Sequence, residues 1–279
     1  MAVETQNFFD YVFNGLPFEP LSSLLIFLLS LARILPIVAI TPFFGSKAIP
    51  APVRMALAIC LGVILFPHLL LTVHTHLEIG YAFAILFLKE AFIGLIFAFF
   101  ASVPFWVAQS SGIVIDFMRG ASSMIGQDPT MKNQVSTIGI LYNQITIVLF
   151  FSIGGAAIFL NILMSSYVIL PPDKLLSPIF FAKGFPFWNQ MLHMAAHIMA
   201  MALQLAAPAI VGSLMAEVFL GIANRLAPQV QIAFLGISIR SMLAIALLFA
   251  GWVIILNQIG KESLLWLEKL QKTAQLLKY

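Results

Sequence analysis

The sequence predicts an all-α, polytopic hydrophobic protein with kinked and broken helices, and three observations carry that expectation. Hydrophobic residues make up 61% of the 279 positions and charged residues 9%, against roughly 25% charged in soluble domains. Residues 91–115 and 133–172 contain no Asp, Glu, Lys or Arg, and each run exceeds the ~20 residues that carry a helix across a bilayer core. Prolines and glycines also sit inside the apolar runs. Neighbouring helices in a membrane re-satisfy the carbonyls that a proline frees, so these positions read as bends.

Taken in order, Glu4, Asp10 and Glu19 give an acidic start without the basic stretch of a cleavable leader, so the first apolar run is expected to be retained. Residues 21–44 form the first candidate span, with Arg33 as its only charge and Pro36 and Pro42 to bend it. A short connection brings Lys47 and Arg54 together before the second span, 55–71. The third, 81–106, is interrupted by the adjacent pair Lys89 and Glu90. Neighbours on a helix point about 100° apart, so each of these charges is expected to meet a different partner. Residues 138–170 suit one steeply tilted helix or two pieces hinged at Gly154 and Gly155. A Pro- and Phe-rich loop, 173–188, fits a membrane interface. Residues 192–220 follow with Pro208 and Glu217, then 232–259 with Arg240. The tail, 261–279, sets leucines among lysines and glutamates and reads as an amphipathic helix. One domain over 1–279 is expected.

Between the two uncharged runs lies GIVIDFMRGASSMIGQDP, residues 112–129. Gly112, Gly120 and Gly126 give it hinges. Phe117, Met118, Met124 and Ile125 make it too apolar for an ordinary solvated loop. It reads either as a re-entrant turn buried by its neighbours or as a plug whose flexible side chains seal a pore and then part. Asp116 and Arg119, three apart, can pair across one helical turn. The remaining charges in apolar surroundings are Arg33, Glu90, Glu217, Arg225 and Arg240. A charge there costs about 2.5 kcal/mol or more, so these residues are expected to lock the packing or to gate a passage.

Catalytic chemistry finds little to stand on. His193 and His197 share a helical face at ligand spacing, but HMAAH lacks the glutamate of a zinc hydrolase motif. No phosphate-cradling glycine motif, nucleophile elbow or cysteine pair is present, and Cys60 stands alone. Neither an enzyme nor a metal or cofactor is expected. A net charge of +3 is too small and dispersed to argue for nucleic acid. The loop charges disagree about orientation: six simple spans would return the lysine-rich tail to the side of the acidic start.

Five segments in fixed order carry a resemblance: RILPIVAITPFFG with IPAPVRMALA, KEAFIGLIFAF, GIVIDFMRGASSMIGQDP, LFFSIGGAAIFLNILMSSYVILP, and AEVFLGIANRLAPQVQIAFLGISIRS. They resemble the FliR/SctT export-apparatus family of bacterial flagella and type III secretion injectisomes, closer to the injectisome branch of SpaR-, YscT- and EscT-like proteins. The resemblance implies an inner-membrane subunit of a closed helical export-gate ring, raised partly into the periplasm, through which unfolded secreted proteins pass. It implies SctR-like, SctS-like and SctU-like partners alongside membrane lipid. It also implies a plug over residues 117–126, lined by Phe117, Met118, Arg119, Met124 and Ile125. The chain departs from the pattern at Ser136-Thr137, where Ser-Pro is common, and at Arg240-Ser241, where Lys-Ser is expected. The alternative is a secondary transporter of a small substrate with a discontinuous helix at 112–129, which asks for an inverted repeat that the sequence does not show.

Overall fold

Long apolar runs in a membrane satisfy their own backbone groups as helices, and every regular element among the described residues is helical. A computed structural model describes residues 20–45, 49–73, 77–120, 136–175, 186–226 and 232–276. The order is α1 (Pro20–Ile40), a one-turn 3-10 helix (Pro42–Phe44), α2 (Ala51–Thr72), α3 (Tyr81–Met118), α4 (Thr137–Ser152), α5 (Gly155–Ile169), α6 (Pro186–Leu226), α7 (Ile232–Ala250) and α8 (Trp252–Leu276). Four helices are long and apolar enough to cross a membrane: Leu21–Ile40, Ala51–Thr72, Tyr81–Met118 and Met191–Leu226. Two bent pairs, α4 with α5 and α7 with α8, raise the count to as many as six.

Several boundaries differ from the sequence expectation. The break expected from Gly112 starts later, because α3 runs unbroken to Met118. Gly112 is a packing position: a Cβ there would collide with the backbone of Ile138 and Gly139, so its bareness lets α4 approach α3. Gly154, at φ +75°, separates α4 from α5, which selects the two-piece reading of residues 138–170. The span expected over 232–259 stops at Ala250, and Gly251 starts the turn into α8. The amphipathic tail helix therefore begins at Trp252, and Gly260 lies within it. At the other proline-rich junction Pro186 occupies the first position of α6, where its missing N–H costs nothing.

The chain divides into two compact units, one of residues 1–102, 156–189 and 266–279, the other of residues 103–155 and 190–265. In the first, Phe27 meets the edge of Phe66 at 5.8 Å, and Gly62 lies against Leu31 and Phe27. Gly94 of α3 touches the backbone of Arg33 so closely that a Cβ would overlap the Arg33 carbonyl. Phe43 packs on Phe159 at 5.3 Å, and Trp266, 2% exposed, sits against Phe100. In the second unit Phe105 packs edge-on to Phe150 at 5.4 Å, Tyr142 lies beside Trp252, and Gly212 admits Leu247.

Candidate functional site

The central stretch is built on a helix end and a helix start. Ser136 caps α4, its Oγ accepting the N–H of Gly139 at 2.9 Å. The same hydroxyl donates to Asp116 Oδ2 at 2.6 Å, and the Ile138 N–H donates to that oxygen at 3.1 Å. Asp116 Oδ1 accepts from Arg119 Nε at 2.7 Å, and Arg119 Nη1 reaches Ser241 Oγ of α7 at 3.4 Å. Asp116 is buried, and its carboxylate stands at the N-terminus of α4, where unpaired N–H groups and the helix dipole favour an anion. The chain leaves α3 at Gly120, in the left-handed region at φ +81°, and returns at Ser136 beside the same carboxylate. Asp116 and the Gly112–Gly139 contact together form a collar that joins the end of α3 to the start of α4. The expected Asp116–Arg119 pair is present, and Ser136, Ile138, Gly139 and Ser241 join it.

Phe117 is 69% exposed at the last turn of α3, with Met118 and Arg119 half-buried beside it. Met124, Ile125 and Gly126 lie outside the described residues.

The first unit holds a second cluster. Arg33 forks onto Glu90, Nε to Oε2 at 2.6 Å and Nη2 to Oε1 at 2.9 Å, and both side chains are 0% exposed. Its Nη1 donates to Ser166 Oγ at 2.9 Å and its Nη2 to the Leu170 carbonyl at 2.8 Å. Its Cζ lies 4.1 Å above the Tyr167 ring, whose hydroxyl donates to the Ser30 carbonyl. Lys89 Nζ donates to the carbonyls of Pro171, Pro172 and Lys174 and stands 2.6 Å from Glu90 Oε1. Lys89 and Glu90 do meet different partners, Lys89 the three carbonyls and Glu90 the Arg33 guanidinium, but they also pair with each other, which their directions on the helix argued against. Glu90 also takes Lys89, because a flexible four-carbon stem can fold back onto a buried neighbouring charge. Two cations gathered where α5 ends suit the negative end of its dipole. Arg33 and Glu90 were legible as buried charges, whereas Ser166 and Tyr167, inside an apolar run, gave no charge signal.

In the second unit Arg240 Nη1 of α7 meets Glu217 Oε1 of α6 at 2.9 Å, with 28% and 45% of the side chains exposed. Arg225 is exposed in the last turn of α6. His197 contacts Glu262 at 3.3 Å. No group of three or more His, Cys, Asp or Glu side chains converges at metal-binding distance among the described residues.

Comparison with known proteins gives these helices relatives. A family model described as Bacterial export proteins, family 1, matches residues 24–264. The chain is 30% identical over 244 residues to Yop proteins translocation protein T of Yersinia pestis, covering 87% of this chain and 91% of that protein. It is 29% identical over 235 residues to secretion system apparatus protein SsaT of Salmonella typhimurium, with 84% and 87% covered. It is 27% identical over 214 residues to flagellar biosynthetic protein FliR of Bacillus subtilis, with 77% and 81% covered. A match across most of the chain, on the helices that hold the Arg33 cluster and the Asp116 collar, places the protein in the bacterial export proteins, family 1.

Proposed function

We propose that the chain is a non-enzymatic, multi-pass inner-membrane subunit of a type III secretion export gate. In this reading the segment leaving α3 at Phe117 is the plug that holds the channel closed, and residues 1–279 act as one export-gate domain. The observation that carries it is the collar. One carboxylate, Asp116, ties the end of α3 to the start of α4. The tie holds α3 and α4 together independently of the residues between them. The sequence puts Met124 and Ile125 in the segment between them and Phe117 and Met118 at its edge, apolar side chains able to seal against ions and yield to a polypeptide. Gly120 and Gly126 are its hinges. Arg33 and Glu90, fully buried and paired, serve packing, and the surrounding hetero-oligomer supplies SctR-like, SctS-like and SctU-like neighbours. The transporter alternative asks for a discontinuous helix at 112–129, and α3 being helical as far as Met118 leaves less of one.

The test is disulfide trapping from a cysteine at Met118 onto a secreted protein stalled in transit by a folded carboxy-terminal domain, in a Cys60→Ser background. The expected result is a crosslink that requires the stalled substrate. No crosslink at Met118 or at Met124 would show that substrate does not pass this segment.

A further inference from the structure

The two histidines that share a face of α6 have different surroundings. His193 is exposed, whereas His197, one turn on, brings its Nε2 to within 3.3 Å of Glu262 Oε2 on α8. Glu262 is buried, and its other oxygen accepts from Gln258 Nε2 at 3.4 Å. A second contact fixes how the two helices run. A Cβ added at Gly251 would lie 3.9 Å from Pro208 Cγ of α6. Eleven positions separate Pro208 from His197 and eleven separate Gly251 from Glu262, in opposite chain directions. α6 and α8 therefore run antiparallel and side by side over about 16 Å. Between the two contacts Met201 and Leu205 of α6 and Ile255 and Ile259 of α8 recur at helical spacing, all buried. The His197–Glu262 contact closes one end of this apolar seam, and the corner at Gly251 closes the other.

Protonation decides the strength of that contact. Histidine is the side chain whose ordinary charge change falls between about pH 5 and 8, a range in which carboxylates are ordinarily ionised. Protonated, His197 offers Glu262 a charged N–H; neutral, it offers the same oxygen an uncharged one. The charged form of such a bond is roughly twice as strong. The His197 side chain keeps 37% of its surface open, so a proton can reach it, while that of Glu262 keeps 11%, so water competes little for the carboxylate. The neighbouring charges leave this pair to itself. On α8 Lys261 is exposed, and on α6 so is Arg225, near the helix end. α4, which meets α8 at Trp252, brings a phenol and no charge. The other charges among the described residues of this unit are engaged elsewhere, Asp116 with Arg119 and Glu217 of α6 with Arg240 of α7.

We propose that His197 and Glu262 form a proton-operated fastening between α6 and α8. As the pH falls from 8 to 6 the imidazole gains its charge and the turn of α8 around Glu262 is drawn against α6; as the pH rises the charge is lost and that turn is loosened. The seam of Met201, Leu205, Ile255 and Ile259 holds the helices together in both states, so the device changes how often the turn opens without separating the helices. The inference does not rest on the export reading or on the plug.

The experiment is hydrogen exchange, read by mass spectrometry on a peptide covering Ile259–Trp266 of the full chain in detergent. Parent and variant are compared at the same pH, so the intrinsic pH dependence of exchange cancels. His197→Gln keeps a donor for Glu262 but does not titrate. The expected result is that parent and His197→Gln match at pH 8 and that the parent exchanges about three- to tenfold more slowly at pH 6. His193→Gln should follow the parent at both values. In a Glu262→Gln background, replacing His197 should have the same effect at pH 6 as at pH 8. Parent against Glu262→Gln should show the same acid-dependent gap, which keeps the test open if His197→Gln fails to fold. A gap that is equal at pH 6 and pH 8, a parent less protected at acid pH, or a dependence that survives Glu262→Gln or disappears with His193→Gln overturns the inference. Each of these outcomes leaves the Met118 crosslink, and the export reading it tests, untouched.

Discussion

Replacing Asp116 by Ala tests the collar most directly. The carboxylate accepts from Arg119 Nε, Ser136 Oγ and the Ile138 N–H, and its removal leaves a backbone N–H, a hydroxyl and a guanidinium without their acceptor. Hydrogen bonds to a charged group contribute about 1.5–3 kcal/mol each and do not add in full. Losing one partner of a buried pair costs about 3–5 kcal/mol. Because the side chain is 10% exposed and that of Arg119 18%, water recovers part of the loss, and about 3 kcal/mol for local opening is the working figure. At 1.4 kcal/mol per factor of ten, the first turn of α4 should then open about a hundred times more often. Hydrogen exchange read by mass spectrometry on a peptide covering Ile138–Tyr142 measures this in detergent-solubilised protein. Asp116→Asn, which keeps one carbonyl acceptor, should fall between the two. Exchange in Asp116→Ala that matches the parent, with exchange elsewhere unchanged, would refute the claim that this carboxylate ties the helix end to the helix start.

Arg33→Lys keeps the charge but loses the fork that spans Glu90, Ser166 and Leu170, and thermal unfolding should show a loss of about 2–4 kcal/mol, with Arg33→Leu worse. The double variant Arg33→Leu with Glu90→Leu should cost less than the sum of the two single changes, since neither charge is left buried alone. Gly112→Ala and Gly94→Ala drive a methyl into backbone on a facing helix and should each destabilise by about 1–3 kcal/mol. Gly221→Ala, facing open space, should be neutral or stabilise by up to about 1 kcal/mol through helix propensity. Deleting residues 121–126 should raise small-solute permeability of membranes containing the assembled gate, and an unchanged permeability would argue against a sealing role.

The sequence made the class of protein plain, because uncharged runs as long as 91–115 and 133–172 suit helices in an apolar medium and not the short alternating strands of a closed barrel. It was less informative about where helices stop. Gly112 and Gly251 look alike in sequence, yet the first is a contact inside α3 and the second a corner between α7 and α8. The difference lies in what faces each glycine across the fold. The charges Arg33, Glu90, Asp116, Arg119, Glu217 and Arg240 announced themselves by the cost of burying them. Their pairing was local for Asp116 with Arg119 and for Glu90 with the adjacent Lys89, whereas Arg33 and Glu90 are 57 positions apart. Ser136 carried a readable signal, a capping residue directly before an uncharged helical run, but its second bond, to Asp116, depends on the loop closing.

Lys89 bears on how the chain is made. Its ammonium holds the carbonyls of Pro171, Pro172 and Lys174, and Arg33 needs Ser166 and Leu170 to occupy its remaining donors. Synthesis runs from the N-terminus, so α1 and α3 exist, and can join through Arg33 and Glu90, before any of those acceptors has left the ribosome. Until α5 arrives, the nascent protein carries two cations with a single shared carboxylate. A chain cut short before residue 166 stays in that unfinished state, and the end of α5 is the piece whose delivery completes the fastening of the first helices.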